Sequence, residues 1–347
     1  MEKSAGSILP PKGQRLVNIS VIVPTYNRPE LVERLLATLA RCNLPDSVEI
    51  VIVENGPARG VKDVCSSSAI ADRVRYEYVA TAGRSLALNH AIQTSRAEFF
   101  IFFDDDIFVP PNIVADYAGA AERYGPGHFF GGPLDPEAEI PCPPYLVPYL
   151  PLSAKGWSFG DRECEIEPAQ FGFFFGANWA VFRADLERIG TFSEALGVAG
   201  NGVSPLGEEV DLQRRLLSNG AKAIYLPSAR IRHPVPAECY TLRWVWQRMM
   251  RIGVTEWRLN HRIAQENRRT ILGVPAWTVR MVLEKKIDLW KARLANAPIE
   301  RRIKLRMDEA FNSGMVYGAW LESRERSRSP SVGHRLPQGQ APSQSRQ

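Results

Sequence analysis

The sequence predicts an α/β fold with an open, doubly wound, mostly parallel sheet, and three features carry that expectation. Short β-branched or aromatic runs at 19–23, 48–53, 74–79 and 99–103 are each followed by a helical pattern, the signature of successive βαβ units. The first, second and fourth runs are nearly unbroken apolar stretches, as strands are when helices cover both faces of a parallel sheet. Polar clusters then follow those same runs: Pro24, Thr25, Tyr26 and Arg28 after the first, Glu54 and Asn55 after the second, and Asp104, Asp105 and Asp106 after the fourth. Open α/β sheets bind ligands beyond the carboxyl ends of their strands, so function is expected at that edge.

Each element has its own local reason. The helix expected over 29–41 opens with Pro29, whose fixed φ and missing N–H suit a first turn, and carries Leu31, Leu35, Leu36 and Leu39 on one stripe. Helices near 61–71, 84–95 and 111–124 complete the α/β half, with right-handed crossovers. Residues 133–168 hold Pro133, Pro136, Pro141, Pro143, Pro144, Pro148 and Pro151, which predicts a long irregular excursion suited to substrate recognition. Order resumes with an aromatic run at 171–175, a strand at 178–182, a helix from Ala184 and a glycine-rich loop at 197–207. A helix over 208–219 stops at Gly220, and strands follow near 222–225 and 230–232. The expected organisation is a polar arm (1–17), an α/β domain (18–240), a basic helical extension (241–326) and a disordered tail of Ser, Pro, Gln and Arg (327–347).

Composition narrows the function classes. With 347 residues, 45% of them hydrophobic, the chain can bury a sizeable core and is not a disordered protein. No stretch reaches the roughly 18 apolar residues of a spanning helix, and the polar start lacks a signal-peptide core, so a cytoplasmic location is expected. Cysteines 42, 65, 142, 164 and 239 are scattered, which suggests neither a disulfide framework nor a zinc site. The net charge of +5 is uneven: residues 1–240 carry 22 basic and 29 acidic side chains, whereas 241–330 carry 19 and 9. That asymmetry points the C-terminal part toward an anionic surface or ligand.

Four clusters can carry chemistry. Asp104 and Asp106, projecting to one side if the chain stays extended, could share a divalent cation or flank one with bound phosphates. The alternative is an acidic turn before the next helix. Gly83 and Arg84 open a helix whose N-terminus suits an anionic diphosphate, unless Ser85 is simply its cap. Glu208, Glu209 and Asp211 crowd one first helical turn, more acids than capping requires. His233, beyond an Arg-Ile-Arg strand, could add an imidazole to a metal or be an ordinary hydrogen-bonded histidine.

Taken together, Val-Ile-Val-Pro-Thr-Tyr-Asn-Arg (21–28), Glu-Asn-Gly (54–56), Gly-Arg-Ser-Leu-Ala-Leu-Asn (83–89), Phe-Asp-Asp-Asp (103–106), Gly-Ala-Asn (176–178), Gly-Glu-Glu-Val-Asp-Leu (207–212) and Pro-Ser-Ala-Arg-Ile-Arg-His (227–233) resemble a family 2 glycosyltransferase of the GT-A fold over about 18–255. The resemblance implies a nucleotide-sugar donor, Mg²⁺ or Mn²⁺, and inversion at the anomeric carbon. Carried onto this chain, it puts Pro24, Thr25, Tyr26, Arg28, Glu54, Asn55, Arg84, Asp104, Asp105 and Arg251 on the donor, and Asn178 and Trp179 on the acceptor side. It gives the metal to Asp104, Asp106 and His233, and the base position to Glu209. The family most often has Gly-Glu-Asp at 207–209, so Glu208 and Asp211 stand beside Glu209 as candidate bases.

The expected partners are a nucleotide sugar and a glycan or lipid-linked acceptor, with synthesis of a cell-surface glycan as the outcome. The 244–251 segment resembles the Gln-Arg-x-x-Arg stretch that lines the cleft in some family members. Val279, Val282, Leu283, Ile287, Trp290 and Leu294 recur at helical spacing among Arg and Lys, which fits docking on the α/β domain or peripheral membrane contact at the inner face. Nucleic acid is not expected, because the aromatic and basic residues follow helix-packing periodicity. Two alternatives are weighed: a non-catalytic sugar- or nucleotide-binding descendant, and an aspartyl-nucleophile phosphotransferase, which normally carries its Asp-x-Asp on the first strand.

Overall fold

The computed structural model describes residues 17–168, 172–198, 204–261, 269–271 and 273–328. Most of the expected arm and tail lies outside these residues, although the last helix continues to Arg328, past the expected start of the tail.

Ten strands make up the two sheets of the α/β region: β1 (Ile19–Thr25), β2 (Val48–Asn55), β3 (Val74–Val79), β4 (Phe99–Phe103), β5 (His128–Gly131), β6 (Leu134–Ala138), β7 (Cys164–Ile166), β8 (Asn178–Phe182), β9 (Lys222–Tyr225) and β10 (Ile231–Val235). Eight form one sheet in the order β3-β2-β1-β4-β8-β5-β9-β7. β1, β2, β3 and β4 run parallel, whereas β8 is antiparallel to both β4 and β5, and β7 is antiparallel to β9. The chain winds from β1 outward to β3 and then returns to β4 on the other side of β1. That reversal opens a crevice at the carboxyl ends of β1 and β4, where ligands of such sheets sit.

Helices cover both faces, as the apolar strands require. On one face α1 (Pro29–Leu39) buries Val32, Leu35, Leu36 and Leu39, with Val32 rather than Leu31 completing its stripe. α2 (Val61–Ser67) adds Val61 and Cys65 to that layer, and α4 (Ile113–Tyr124) adds Ile113, Val114 and Tyr117. On the other, α3 (Arg84–Thr94) contributes Ala87, Leu88, Ala91 and Ile92 to a second layer. All five residues of β4 are buried, and their rings alternate between the layers: Phe99 meets Phe130 edge-on on one side and Phe102 meets Phe192 on the other.

The proline-rich stretch is more regular than expected. It contains a 3-10 turn (Pro144–Tyr149) and a short helix, α5 (Leu152–Lys155). β6 pairs in parallel with β10 in a separate ribbon, and β7 closes the edge of the main sheet. Pro136 and Pro234 sit inside that ribbon, a place open to proline because a two-stranded ladder leaves outward N–H positions unused. Farther along, α6 (Arg183–Ile189) and α7 (Glu208–Ser218) pack on the second layer through Leu186, Leu212 and Leu216.

The last part of the described chain is helical with a break. α8 (Leu242–Glu256) ends in a π turn (Trp257–His261), a short hairpin of β11 (Thr270–Ile271) and β12 (Val274–Pro275) follows, and α9 (Ala276–Leu294) and α10 (Ile299–Arg328) complete it. Val245, Ile303 and Met307 share a core with Leu146, Leu150 and Val235, so α8 and α10 rest on the α/β body. α8 and α10 touch through their backbones: a β carbon on Gly253 would stand 2.0 Å from the Phe311 carbonyl oxygen, and one on Gly314 2.1 Å from that of Met250.

Gly253→Ala is therefore expected to cost about 1–3 kcal/mol by forcing the two helices apart. Gly119→Ala, where the added carbon meets only the end of Arg123, is expected to be neutral or slightly stabilising. Urea unfolding of the two variants checks the contrast.

Candidate active site

The β1–β4 pairing sets the first half of the site. Because Ile22 lies opposite Phe102, the two strand ends deliver Thr25 and the aspartates to one place. The Thr25 hydroxyl donates to Asp105 Oδ2 at 2.7 Å, and Arg28 Nη1 donates to Asp105 at 3.2 Å and to Asp106 at 3.4 Å. The extended continuation assumed for the triplet does not occur, since β4 ends at Phe103 and Asp105 and Asp106 form a turn. Thr25 and Arg28 draw Asp105 back onto β1, while Asp104 and Asp106 keep about a quarter of their side chains accessible. Burial raises the Asp105 carboxyl to about 6 despite Arg28 pulling it down. Asp106 is also raised, by burial and then by Asp104, against His233, Arg28 and Arg84.

Arg84 joins this edge to a segment more than a hundred residues away. Its Nη1 lies 2.5 Å from Asp104 Oδ1 and its Nε 2.7 Å from Glu208 Oε1. Burial alone would push the guanidinium down, yet Asp104, Glu208 and Glu209 together hold it above its ordinary value. The backbone fixes where it starts: Gly83 N–H donates to Asn55 Oδ1 at 2.9 Å, and Asn55 Nδ2 donates to the Thr25 carbonyl at 2.7 Å. Ser85 does not cap α3; its hydroxyl donates to the Leu196 carbonyl, and the Arg84 N–H donates to Val198. Gly197 meets Ser85 at this contact, where its φ of +94° and a would-be β carbon 2.7 Å from Ser85 Oγ both favour glycine. Gly176 leaves room for Arg84, whose Nη2 would lie 2.9 Å from a β carbon there.

The acids of α7 then separate. Glu208 is buried on Arg84. Glu209 is partly enclosed, and burial followed by the neighbouring Glu208 charge raises it to about 8, with Arg84 pulling the other way. Asp211 is paired 2.9 Å from Arg215, which also donates to the carbonyls of Ile189, Gly190 and Thr191. Asp211 therefore serves the α6–α7 connection and lines neither cavity of the site, contrary to its candidacy as a base.

Two adjoining cavities share Arg84, Asp104 and Val198. The smaller, about 180 Å³, is lined by Pro24, Thr25, Tyr26, Arg28, Asn55 and the aspartates. Tyr26 packs closely on Gly56, where a β carbon would stand 2.6 Å from the ring. The larger, about 400 Å³, is walled by Phe173, Phe174 and Phe175 and holds Glu208, Glu209, His233 and Arg248. His233 reaches it because Phe108 and Arg232 exchange backbone hydrogen bonds of 2.8 and 2.9 Å, which sets β10 beside the aspartate turn. Its Nε2 is 3.6 Å from Asp106 Oδ1.

Buried oxygens of Asp104 and Asp106 and Nδ1 of His233 lack an aligned hydrogen bond. Hard carboxylate oxygens suit Mg²⁺ or Mn²⁺, and an imidazole adds a softer donor better matched to a transition ion than to Mg²⁺. Among the described residues no three His, Cys, Asp or Glu side chains are already gathered at ligand spacing. That is compatible with the way Mg²⁺ binds to one or two carboxylates and completes its shell with substrate phosphates and water.

Other assignments change. Glu54 is buried, accepting from Tyr76 Oη at 2.7 Å and Arg59 N–H at 2.6 Å, and does not line the smaller cavity. Asn178 is fully buried and bonds Tyr117 Oη and the carbonyls of Pro133 and Ala229, and Trp179 is packed in the core, so neither faces an acceptor. Arg251 lines neither cavity, whereas Arg248, one turn earlier on α8, does. Arg248 follows buried Val245 by three residues, and that shared helix face was the available signal.

The family model for Glycosyl transferase family 2 matches residues 20–148. Over those residues the chain is similar to glycosyltransferase family 2. It is 26% identical over 320 residues to the succinoglycan biosynthesis protein ExoM of Rhizobium meliloti (strain 1021), covering 87% of this chain and 93% of that one. It is 27% identical over 227 residues to validoxylamine A glucosyltransferase of Streptomyces hygroscopicus subsp. limoneus, covering 58% of this chain and about half (48%) of that longer protein. Among solved structures, GalNAc-T7 with UDP, GalNAc and Mn²⁺ superposes with a TM-score of 0.50 at 13% identity, over 71% of this chain and 52% of that one. The fold is of the GT-A type, with helices added at the C-terminal end. These similarities favour a glycosyltransferase over the phosphotransferase alternative.

The raised Glu209 carboxyl has a consequence for stability. A carboxyl raised by folding binds a proton that the unfolded chain has already lost, so its stabilising contribution is full below about 4.5 and disappears as pH passes about 8. Relative to Glu209→Gln, the wild-type protein is expected to lose stability across that window, by at most about 1.4 kcal/mol per pH unit, and to level off above it. Urea unfolding of both proteins at stepped pH measures the difference.

Proposed function

We propose that this glycosyltransferase moves a sugar from a nucleoside-diphosphate sugar to an acceptor hydroxyl with inversion, using a divalent cation. The observation that carries the reading is that Asp104 lines both adjoining cavities, with Asp106 in the smaller and Glu209 in the larger, while Arg84 bridges Asp104 and Glu208. The likeness to ExoM over nearly its whole length supports an acceptor that is a growing glycan, free or lipid-linked, in polysaccharide synthesis.

In this reading the donor nucleoside occupies the smaller cavity, with its base against Tyr26 and its ribose near Asp105 and Asn55. Asp104, Asp106 and His233 would hold the cation. When bound, it would neutralise the charge that develops on the departing diphosphate. Arg28 and Arg84 stand beside the same region and offer further positive charge to the leaving group.

The acceptor enters the larger cavity, where Phe173 to Phe175 and Arg248 form the wall. Glu209 takes the proton of the attacking hydroxyl at a carboxylate oxygen. Its raised affinity for protons suits that task, because a base works best when its pKa lies near the working pH. Glu208 is the weaker candidate, since its carboxylate is already committed to Arg84.

Glu209→Gln is expected to lower kcat by roughly 10² to 10⁴-fold while leaving the donor Kd nearly unchanged. Asp106→Asn is expected to show the reverse pattern in calorimetry, losing the Mn²⁺-dependent part of nucleoside-diphosphate binding. Retained turnover in Glu209→Gln removes it as the base, and full activity in EDTA removes the cation from the reaction.

A further inference from the structure

α9 carries a surface that the chemistry above does not use. Leu283, Ile287, Trp290 and Leu294 are 55, 51, 61 and 67% exposed, far more than apolar residues of a packed helix. At about 100° per residue they fall within an arc of roughly 60° and form a stripe about 16 Å long. The opposite side of the helix is anchored: Thr278 and Ala292 are buried, Trp277 lies against Trp257, and Lys285 stands 3.9 Å from Asp308 of α10. The stripe is thus held facing outward, and Ile299, 46% exposed at the start of α10, follows shortly after it.

The charges beside the stripe identify its partner. Lys286 and Arg293 are exposed roughly 60–80° to one side of it, and Arg280 and Lys291 a similar angle to the other. Glu284 is occupied by Arg280 at 2.7 Å, and Asp288 lies farther round the helix, so the margins of the stripe are cationic. Long cationic side chains can lay their stems along apolar surface and lift their charges to a polar boundary, and tryptophan favours the same boundary. A second copy of the chain meeting this face about a two-fold axis would bring like charges together.

We propose that α9 is a membrane-docking helix that lies in the interface of a bilayer containing anionic lipid, with Leu283, Ile287, Trp290 and Leu294 inserted and Lys286, Lys291 and Arg293 at the headgroups. Among the described residues no helix is long and apolar enough to cross a membrane, so the attachment is peripheral and reversible. It holds whether or not the proposed transfer reaction is correct, because it rests on none of the residues of the cavities.

Flotation of the full chain with vesicles of phosphatidylcholine alone, or mixed with phosphatidylglycerol, tests this. Binding is expected with the mixed vesicles only. Trp290→Glu with Leu294→Glu is expected to abolish it, and Lys286→Glu with Lys291→Glu to weaken it by about tenfold or more. Thermal unfolding followed by circular dichroism checks that the variants remain folded. Brominated lipid is expected to quench wild-type tryptophan fluorescence more than that of the conservative Trp290→Phe protein. Absence of flotation with mixed vesicles, or flotation indifferent to these substitutions, overturns the proposal. So does a concentration-dependent dimer that Trp290→Glu dissociates, which would give the face to a second copy.

Discussion

The site depends on one enclosed guanidinium. Arg84 lies between Asp104, at the end of β4, and Glu208, at the start of α7, and carries the charge that lets acids from both segments approach each other. Burying a carboxylate without a partner costs several kcal/mol, so acids could not crowd this crevice on their own. Their presence is also what keeps Arg84 charged, against a burial that would favour its neutral form. The pairing leaves Glu209 beside the Arg84–Glu208 ion pair, with no short salt bridge of its own among the described residues, and burial can then raise its pKa.

The sheet supplies the positions. Reversal of strand order between β1 and β4 places Thr25, Arg28 and the aspartates at one edge, while β10, tied by Phe108 and Arg232, brings His233 from the far side. α7 follows Gly207, whose left-handed φ of +89° turns the chain so that Glu208 and Glu209 enter the larger cavity. The loop before it is fastened by the Leu206 N–H to Thr255 Oγ1 of α8, so the C-terminal helices help to position the acids.

Much of this was legible in the sequence because its causes are local. The runs that became β3, β4, β8 and β9 were read with the observed bounds, since apolar strand patterns bounded by turns need no distant partner to be recognised. The order of β8 in the sheet, the pairing of β6 with β10 and the edge position of β7 depend on contacts far apart in the chain, and no local pattern states them. The same division runs through the site. Residue types mark Asp104, Asp106 and Glu209, but only the fold shows that Asp211 belongs to Arg215, that Glu54 is held by Tyr76, and that Asn178 and Trp179 face inward. Arg84 looked like a residue at a helix N-terminus facing an anion; its carboxylate partners, one of them 124 positions on, could not be read from spacing.

Carboxyl NMR titration of Glu209, assigned by its loss in Glu209→Gln, tests the role of Arg84 most directly when wild-type and Arg84→Gln proteins are compared. If Arg84 supplies the shared charge, Glu209 titrates near 8 in the wild-type protein and at higher pH without the guanidinium. A Glu209 that titrates like an ordinary carboxylate, or whose titration does not move when Arg84 is replaced, contradicts it.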